Sequence, residues 1–316
     1  MIPTITTMKL SSSLLRMKTV TGYYKSRYHC SNTIIRRKFS SNNTLLHTKE
    51  IKVDNNNSKN NDVVFLHGLL GNGKNLTTMA KRMGGGILVD LRGHGKSMSS
   101  FGQQRHTFEN CAKDVIQSVD TTISTVVGHS FGGRVALECA MQLSSKNATT
   151  WLLDTVPGQA DGSVVEVFET IQSIDVQNYD TKSDISKVLT EEKKMNVGLA
   201  QWLTSSMTSD ESSLKWGFDL DIIEDLLPEF GTQDFMGKLQ HLVLSEEEQQ
   251  KSSSVIHLVR GGKNTAWSMD ILSKLQEIQK KSNNRFYLHV LPNAGHWVHV
   301  EDLPGLVKLW ETHKTK

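Results

Sequence analysis

Gly128-His129-Ser130-Phe131-Gly132-Gly133 decides the fold of this chain. The β-branched run Thr125-Val126-Val127 leads into it, and Phe131 to Leu143 continues from it at helical period. A serine between a strand and a helix, flanked two residues away on each side by glycine, is the arrangement that holds a hydroxyl proud of a sheet in a strained turn. The neighbours must be small because the turn folds the helix start back against the strand end, and Gly128 and Gly132 meet that need. Ser130 is therefore the candidate nucleophile.

Outward from this turn, short apolar runs alternate with stretches of helical period. The runs are a weak first strand at Leu45–Val53, then Val63–Leu66, Ile87–Val89, Thr125–Val127, Trp151–Leu153, Val255–Val259 and Phe286–Leu291. Phe108, Cys111, Val115 and Val119 mark a helix ahead of the serine strand. Strands that alternate with helices predict a mostly parallel sheet covered on both faces, with chemistry beyond the carboxyl ends of the strands. The expected fold class is α/β, with a core of residues 40–154 and 254–316. Between them, residues 155–253 break the alternation with charged, mostly helical sequence, placed as a helical lid inserted after the sixth strand. Met195, Met207 and Phe218 in that insertion are candidates to line an acyl pocket.

A serine hydroxyl attacks a carbonyl at neutral pH only when a base takes its proton. His296, in Asn293-Ala294-Gly295-His296-Trp297 after the last strand, is the expected base. His67 and His94 lie in earlier turns, His129 flanks the serine, and His299 comes one turn too late. The pair His296 and His299 lacks a third ligand at helical spacing, so no metal is expected. Charge developing on the substrate oxygen calls for two prepositioned amides, each worth about 3 to 4 kcal/mol of barrier. The amides of Phe131 and of Leu69, after His67-Gly68, are the expected donors.

The acid is harder to place. The turn after Val259 reads Arg260-Gly261-Gly262-Lys263-Asn264-Thr265 and holds no carboxylate. Asn264 can orient an imidazole but cannot stabilise its charged form. Asp154, at the end of the strand next to the serine strand, is the expected partner of His296; Asp221 in the insertion is the alternative, and Asp270 stands behind both.

Gly68 to Asn75 comes within one residue of the phosphate-cradling pattern Gly-x-x-x-x-Gly-Lys-Ser/Thr, and Asp90 imitates the metal-holding acid of such sites. Nucleotide binding is the runner-up reading; it lacks a hydroxyl at Asn75 and leaves Ser130 and His296 without a role. A third possibility is a non-catalytic adaptor that keeps the fold, suggested by the missing acid at Asn264.

The first 39 residues hold eight Lys or Arg and no acid, and are rich in Ser and Thr, the composition of an organelle targeting presequence. Arg37-Lys38-Phe39-Ser40 resembles a mitochondrial cleavage pattern, so a mature start near Ser40 and a mitochondrial location are expected, with a plastid as the alternative. Removing the segment leaves 28 basic against 33 acidic residues, and the net +3 of the whole chain gives no indication of nucleic acid binding. No run approaches the roughly 18 apolar residues that span a bilayer. Cys111 and Cys139 fall on apolar helix positions, as core thiols of a reducing compartment do.

Taken together, His67-Gly68-Leu69-Leu70-Gly71, Asp90-Leu91-Arg92-Gly93-His94-Gly95, the Ser130 turn and Pro292 to His299 resemble the α/β-hydrolase superfamily, most closely its mitochondrial branch and bacterial esterase relatives. The resemblance covers residues 62–316 and is thin across the insertion. It implies hydrolysis of carboxylic esters, acylglycerols or acyl thioesters through an acyl-enzyme, with no cofactor. The implied partner is a small acyl ester or lipid substrate, and the implied state is a monomer or weak oligomer. Some members take the acid after the sixth strand, which corresponds to Asp154; others take it from the lid, which corresponds to Asp221.

Overall fold

The computed structural model describes residues 45–53, 62–98, 101, 105–119, 122–143, 147–158, 163–210, 213–251 and 253–314. The expected presequence and the polar Asn55–Asn61 stretch lie outside the described residues. Every apolar run named above becomes a sheet strand: β1 (Thr48–Ile51), β2 (Val63–Leu66), β3 (Gly86–Val89), β4 (Thr125–His129) and β5 (Thr149–Leu153) precede the insertion. The helices among them are α1 (Thr77–Arg82), α2 (Phe108–Ser118) and α3 (Phe131–Gln142).

The insertion runs through α4 (Ser163–Gln172), α5 (Lys182–Lys187) and α6 (Val197–Ser206), a small hairpin of β6 (Thr208–Asp210) and β7 (Ser213–Lys215), then α7 (Leu220–Thr232), α8 (Phe235–Leu244) and α9 (Glu246–Lys251). The chain then returns to the sheet with β8 (Ile256–Gly261), α10 (Met269–Lys281), β9 (Phe286–Leu291), α11 (Val298–Glu301) and α12 (Leu303–His313).

The sheet order is β1-β3-β2-β4-β5-β8-β9, with β1 antiparallel and every other neighbour parallel. Among the described residues the insertion follows the fifth strand of this sheet, where the sixth was expected. A single antiparallel strand, β1, precedes β2 and β3 among the described residues, where the weak first strand at Leu45–Val53 was expected.

Alternation along each strand sorts side chains between two cores. Val64, Leu66, Val126 and Leu152 face a cluster shared with Cys111, Val135 and Ile278 of α2, α3 and α10. Phe65, Val127, Trp151 and Leu153 face the other, with Met79 and Ala80 of α1 and Leu306 and Trp310 of α12. Burial on both sides explains why β2, β4 and β5 read as nearly continuous apolar runs.

The insertion packs onto the core through particular contacts. Lys238 of α8 pairs with Glu138 of α3, and the Phe108 amide at the start of α2 donates to Glu229 of α7 at 3.4 Å. Asp219 N–H donates to the Gly93 carbonyl at 2.8 Å, and Gly95 N–H to the Gly217 carbonyl at 2.8 Å, so the turn after β3 grips the segment ahead of α7. Among the described residues no helix is long and apolar enough to cross a membrane.

Candidate active site

Ser130 sits between β4 and α3 with φ 54° and ψ −112°, a conformation that L side chains avoid and that costs on the order of 1–3 kcal/mol. Its amide donates to the Leu153 carbonyl at 2.9 Å, anchoring the turn to the end of β5. The flanking glycines are required by crowding: a Cβ on Gly128 would lie 2.1 Å from the Gly132 carbonyl oxygen, and one on Gly132 would lie 2.3 Å from that of Leu66. The side chain of Ser130 remains partly exposed.

Asp154 follows β5 directly, also at positive φ (44°), with its amide bonded to the Val259 carbonyl at 2.7 Å. It is 1% exposed. A buried carboxylate needs donors on both oxygens. Oδ1 accepts from Gly261 N–H at 2.8 Å and from the Trp267 indole N–H at 2.9 Å. Oδ2 accepts from the Asn264 amide and from His296 Nδ1 at 2.8 Å. A carboxylate oxygen that is ionised only accepts, so Nδ1 is the donor of this bond, and in the neutral ring that tautomer leaves the lone pair on Nε2. The His296 side chain is 39% exposed, against 0% for that of Asp154.

The loop carrying His296 is fastened from two sides. His129, next to Ser130, donates from Nε2 to the His296 carbonyl at 2.9 Å, and the two rings lie 4.8 Å apart. Glu301 accepts from Gly295 N–H at 2.8 Å and Trp297 N–H at 3.2 Å. Thus the residue beside Ser130 holds the backbone of the residue whose ring is bonded to Asp154. Burial and the neighbouring rings of His299 and His296 keep the His129 ring well below the usual imidazole range, consistent with a neutral Nε2–H donor.

The amides of Leu69 and Phe131 donate to no other protein atom among the described residues. Phe131 N–H heads α3, where orphan donors and the helix dipole favour negative charge. Leu70, after Leu69, is held at φ 66°.

Other residues singled out in the sequence fall elsewhere. Asp221 is exposed in the first turn of α7, and Asp270 pairs with Lys274 of its own helix at 2.8 Å. Phe218 stacks on Trp216 at 5.6 Å, Met207 is 3% exposed within the larger core, and Met195 packs at its edge. His299 is buried against His129, ring centroids 4.4 Å apart.

The phosphate-loop look-alike is closed on itself. Asn72 and Asn75 cap each other, Lys74 is exposed, and both oxygens of Asp90 accept backbone amides, Gly73 at 2.7 Å and Lys96 at 2.9 Å. Residues that would receive a phosphate and its metal here brace a turn.

Comparison with known proteins agrees with this fold. The profile of the alpha/beta hydrolase family matches residues 63–307. The chain is 24% identical over 247 residues, 75% of each chain, to the sn-1-specific diacylglycerol lipase ABHD11 of Mus musculus. It is 23% identical to the esterase YbfF of Escherichia coli K12, covering 78% of this chain and 90% of that one. Among solved structures, a marine microorganism esterase superposes with a TM-score of 0.67 at 19% identity, over 85% of this chain and 98% of that one; at such identity the likeness shows the fold alone.

Proposed function

The chain belongs to the alpha/beta hydrolase family, and from that premise we propose that it is a serine hydrolase cleaving carboxylic ester or thioester bonds of acyl or lipid-like substrates. The observation that carries the reading is the 2.8 Å bond from His296 Nδ1 to buried Asp154, on a loop that His129, the neighbour of the strained Ser130, holds by its backbone. The relatives named lipase and esterase support an ester bond as the target.

In the proposed mechanism, Nε2 of His296 takes the proton of Ser130 Oγ as Oγ attacks the substrate carbonyl carbon. The oxygen becomes an oxyanion facing the amides of Leu69 and Phe131. Collapse breaks the bond to the leaving group, which departs with the proton from Nε2 and leaves an acyl ester on Ser130. Water, deprotonated by the same nitrogen, attacks that ester, and a second collapse frees the acid and restores the hydroxyl. Asp154 holds the ring in the tautomer this needs and stabilises the imidazolium that forms twice per cycle. The steps invoke neither metal nor cofactor.

Residues 155–253 act in this reading as a lid over the cleft. Trp202 of α6 lies against Gly71 of the Leu69 loop, so close that a Cβ on Gly71 would meet its ring at 2.9 Å. The basic first 39 residues serve as a mitochondrial presequence, testable by fusing them to a fluorescent protein. The mechanism itself is tested with a fluorophosphonate probe: it should label the wild type and leave Ser130→Ala and His296→Ala unlabelled. Equal labelling of wild type and Ser130→Ala would end the proposal.

A further inference from the structure

His67 and His94 move no proton in that mechanism, yet both rings are fully buried and each holds the other's turn. Nε2 of His67, just after β2, accepts Leu91 N–H of the turn after β3 at 2.9 Å. Nε2 of His94, in that second turn, accepts Leu70 N–H of the first at 3.1 Å. Each Nδ1–H donates within its own turn, to the Gly68 carbonyl and the Arg92 carbonyl, both at 2.8 Å. The rings meet edge-on with centroids 5.0 Å apart. This pattern satisfies all four ring nitrogens only as neutral Nδ1–H tautomers, because a second proton on either ring would face an N–H donor. Burial holds His67 down to about 4 and His94 to about 3, so both rings stay neutral at neutral pH.

Leu69 lies between the two anchors. The Gly68 carbonyl and the Leu69 N–H belong to one planar trans peptide, so the bond from His67 to that carbonyl aims the N–H the opposite way. The next peptide carries the Leu69 carbonyl and the Leu70 N–H, and His94 fixes it. Leu70 at φ 66° shows the backbone strain these anchors hold in place. The His94 ring also stacks on the ring of Phe131, centroids 5.8 Å apart, so it touches the residue carrying the other expected donor.

We infer that His67 and His94 are positioning residues that aim the Leu69 amide at the developing oxyanion, one imidazole on each of the two peptide planes that flank it. The inference rests on the reading of Ser130 as nucleophile.

The test compares His67→Leu and His94→Leu, which keep bulk without hydrogen bonds, with His67→Asn, which restores a donor near Nδ1, and His94→Gln, which restores an acceptor near Nε2. With p-nitrophenyl butyrate, each Leu variant should lose roughly 10- to 100-fold in kcat, while KM stays within about threefold. Inhibition by a trifluoromethyl ketone, which forms a tetrahedral adduct with an oxyanion, should weaken in parallel, and the Asn and Gln variants should recover most of both losses.

Folded Leu variants with kcat within about threefold of wild type, or with KM moving in place of kcat, would overturn the inference. So would amide variants that rescue nothing. Nitrogen-15 spectra of the wild type give a reading independent of variant folding: both rings should appear as neutral Nδ1–H tautomers at pH 6, and an Nε2–H ring would contradict the assignment. A wild type that takes no fluorophosphonate at Ser130 sinks the parent reading and this one together, whereas a labelled wild type with unimpaired Leu variants sinks this one alone.

Discussion

Asn264 donates to the same Oδ2 of Asp154 that receives Nδ1 of His296. The turn after β8, which holds no carboxylate of its own, is thus a donor set for a carboxylate from the neighbouring strand. Gly261, the last residue of β8, and Trp267, in the segment that follows it, complete the set on Oδ1. The missing carboxylate at position 264 therefore gives no support to a non-catalytic adaptor.

Asp154→Asn should keep the fold and lower kcat by about 10³ to 10⁴, the cost of losing the charge and the tautomer in a comparable triad. Asp221→Asn should change kcat less than about twofold, since that side chain is exposed on α7 while His296 is already bonded elsewhere. Turnover of one short ester by both variants decides between the two acids, and a large loss in Asp221→Asn alone would reverse the assignment.

Trp267→Phe keeps a ring in place and removes one donor from a buried carboxylate oxygen. A hydrogen bond to a charged group contributes about 1.5–3 kcal/mol, and urea titration should show a loss of that size. Activity should fall far less than in Asp154→Asn, because the bond from His296 uses the other oxygen. A variant as stable as wild type would mean that the indole N–H contributes nothing.

What the sequence made legible is what has a local signature. Val63–Leu66, Thr125–Val127 and Trp151–Leu153 announce strands because burial on both faces selects unbroken β-branched and apolar residues. The Ser130 turn is legible because its crowding admits only glycine at fixed offsets. Asp154 could be read from its place at a strand end. The groups that hold these residues left no such trace: Asn264 and Asp154 are 110 positions apart, and His129 and His296 are 167 apart. The crossed bonds of His67 and His94 span 24 positions each, and no periodicity links them. In the insertion the charged, mostly helical character was legible, but nothing local marked Gly217 and Asp219 as the residues that grip the turn after β3.

Buried neutral histidines should make stability depend on pH. His67 and His299 are held to about 4, and His94 to about 3, chiefly because burial disfavours the charged ring. In the unfolded chain such rings take up protons near pH 6.5. Between those values the unfolded state binds more protons, so the stabilisation is whole above pH 6.5 and is lost as pH falls toward 4. Each ring contributes a slope of about 1.4 kcal/mol per pH unit near pH 5. Urea unfolding at pH 7, 6 and 5 should show this decline, with a shallower slope in His299→Phe. A profile flat over that range would show that the rings are charged or accessible in the folded protein.

Ser130 is the residue at which activity and stability should oppose each other. Its φ of 54° with ψ −112° lies where a side chain is strained and glycine is not. Ser130→Gly removes the nucleophile and the strain together, at the expense of added freedom in the unfolded chain, which offsets about 0.5–1 kcal/mol of the gain. The net expectation is a protein about 0.5–2 kcal/mol more stable in urea and without turnover. Ser130→Ala should be equally inactive without that gain, because its Cβ meets the same strain. Comparing the two variants separates strain from the loss of the hydroxyl; equal stabilities for both would mean that the turn stores no energy at this residue.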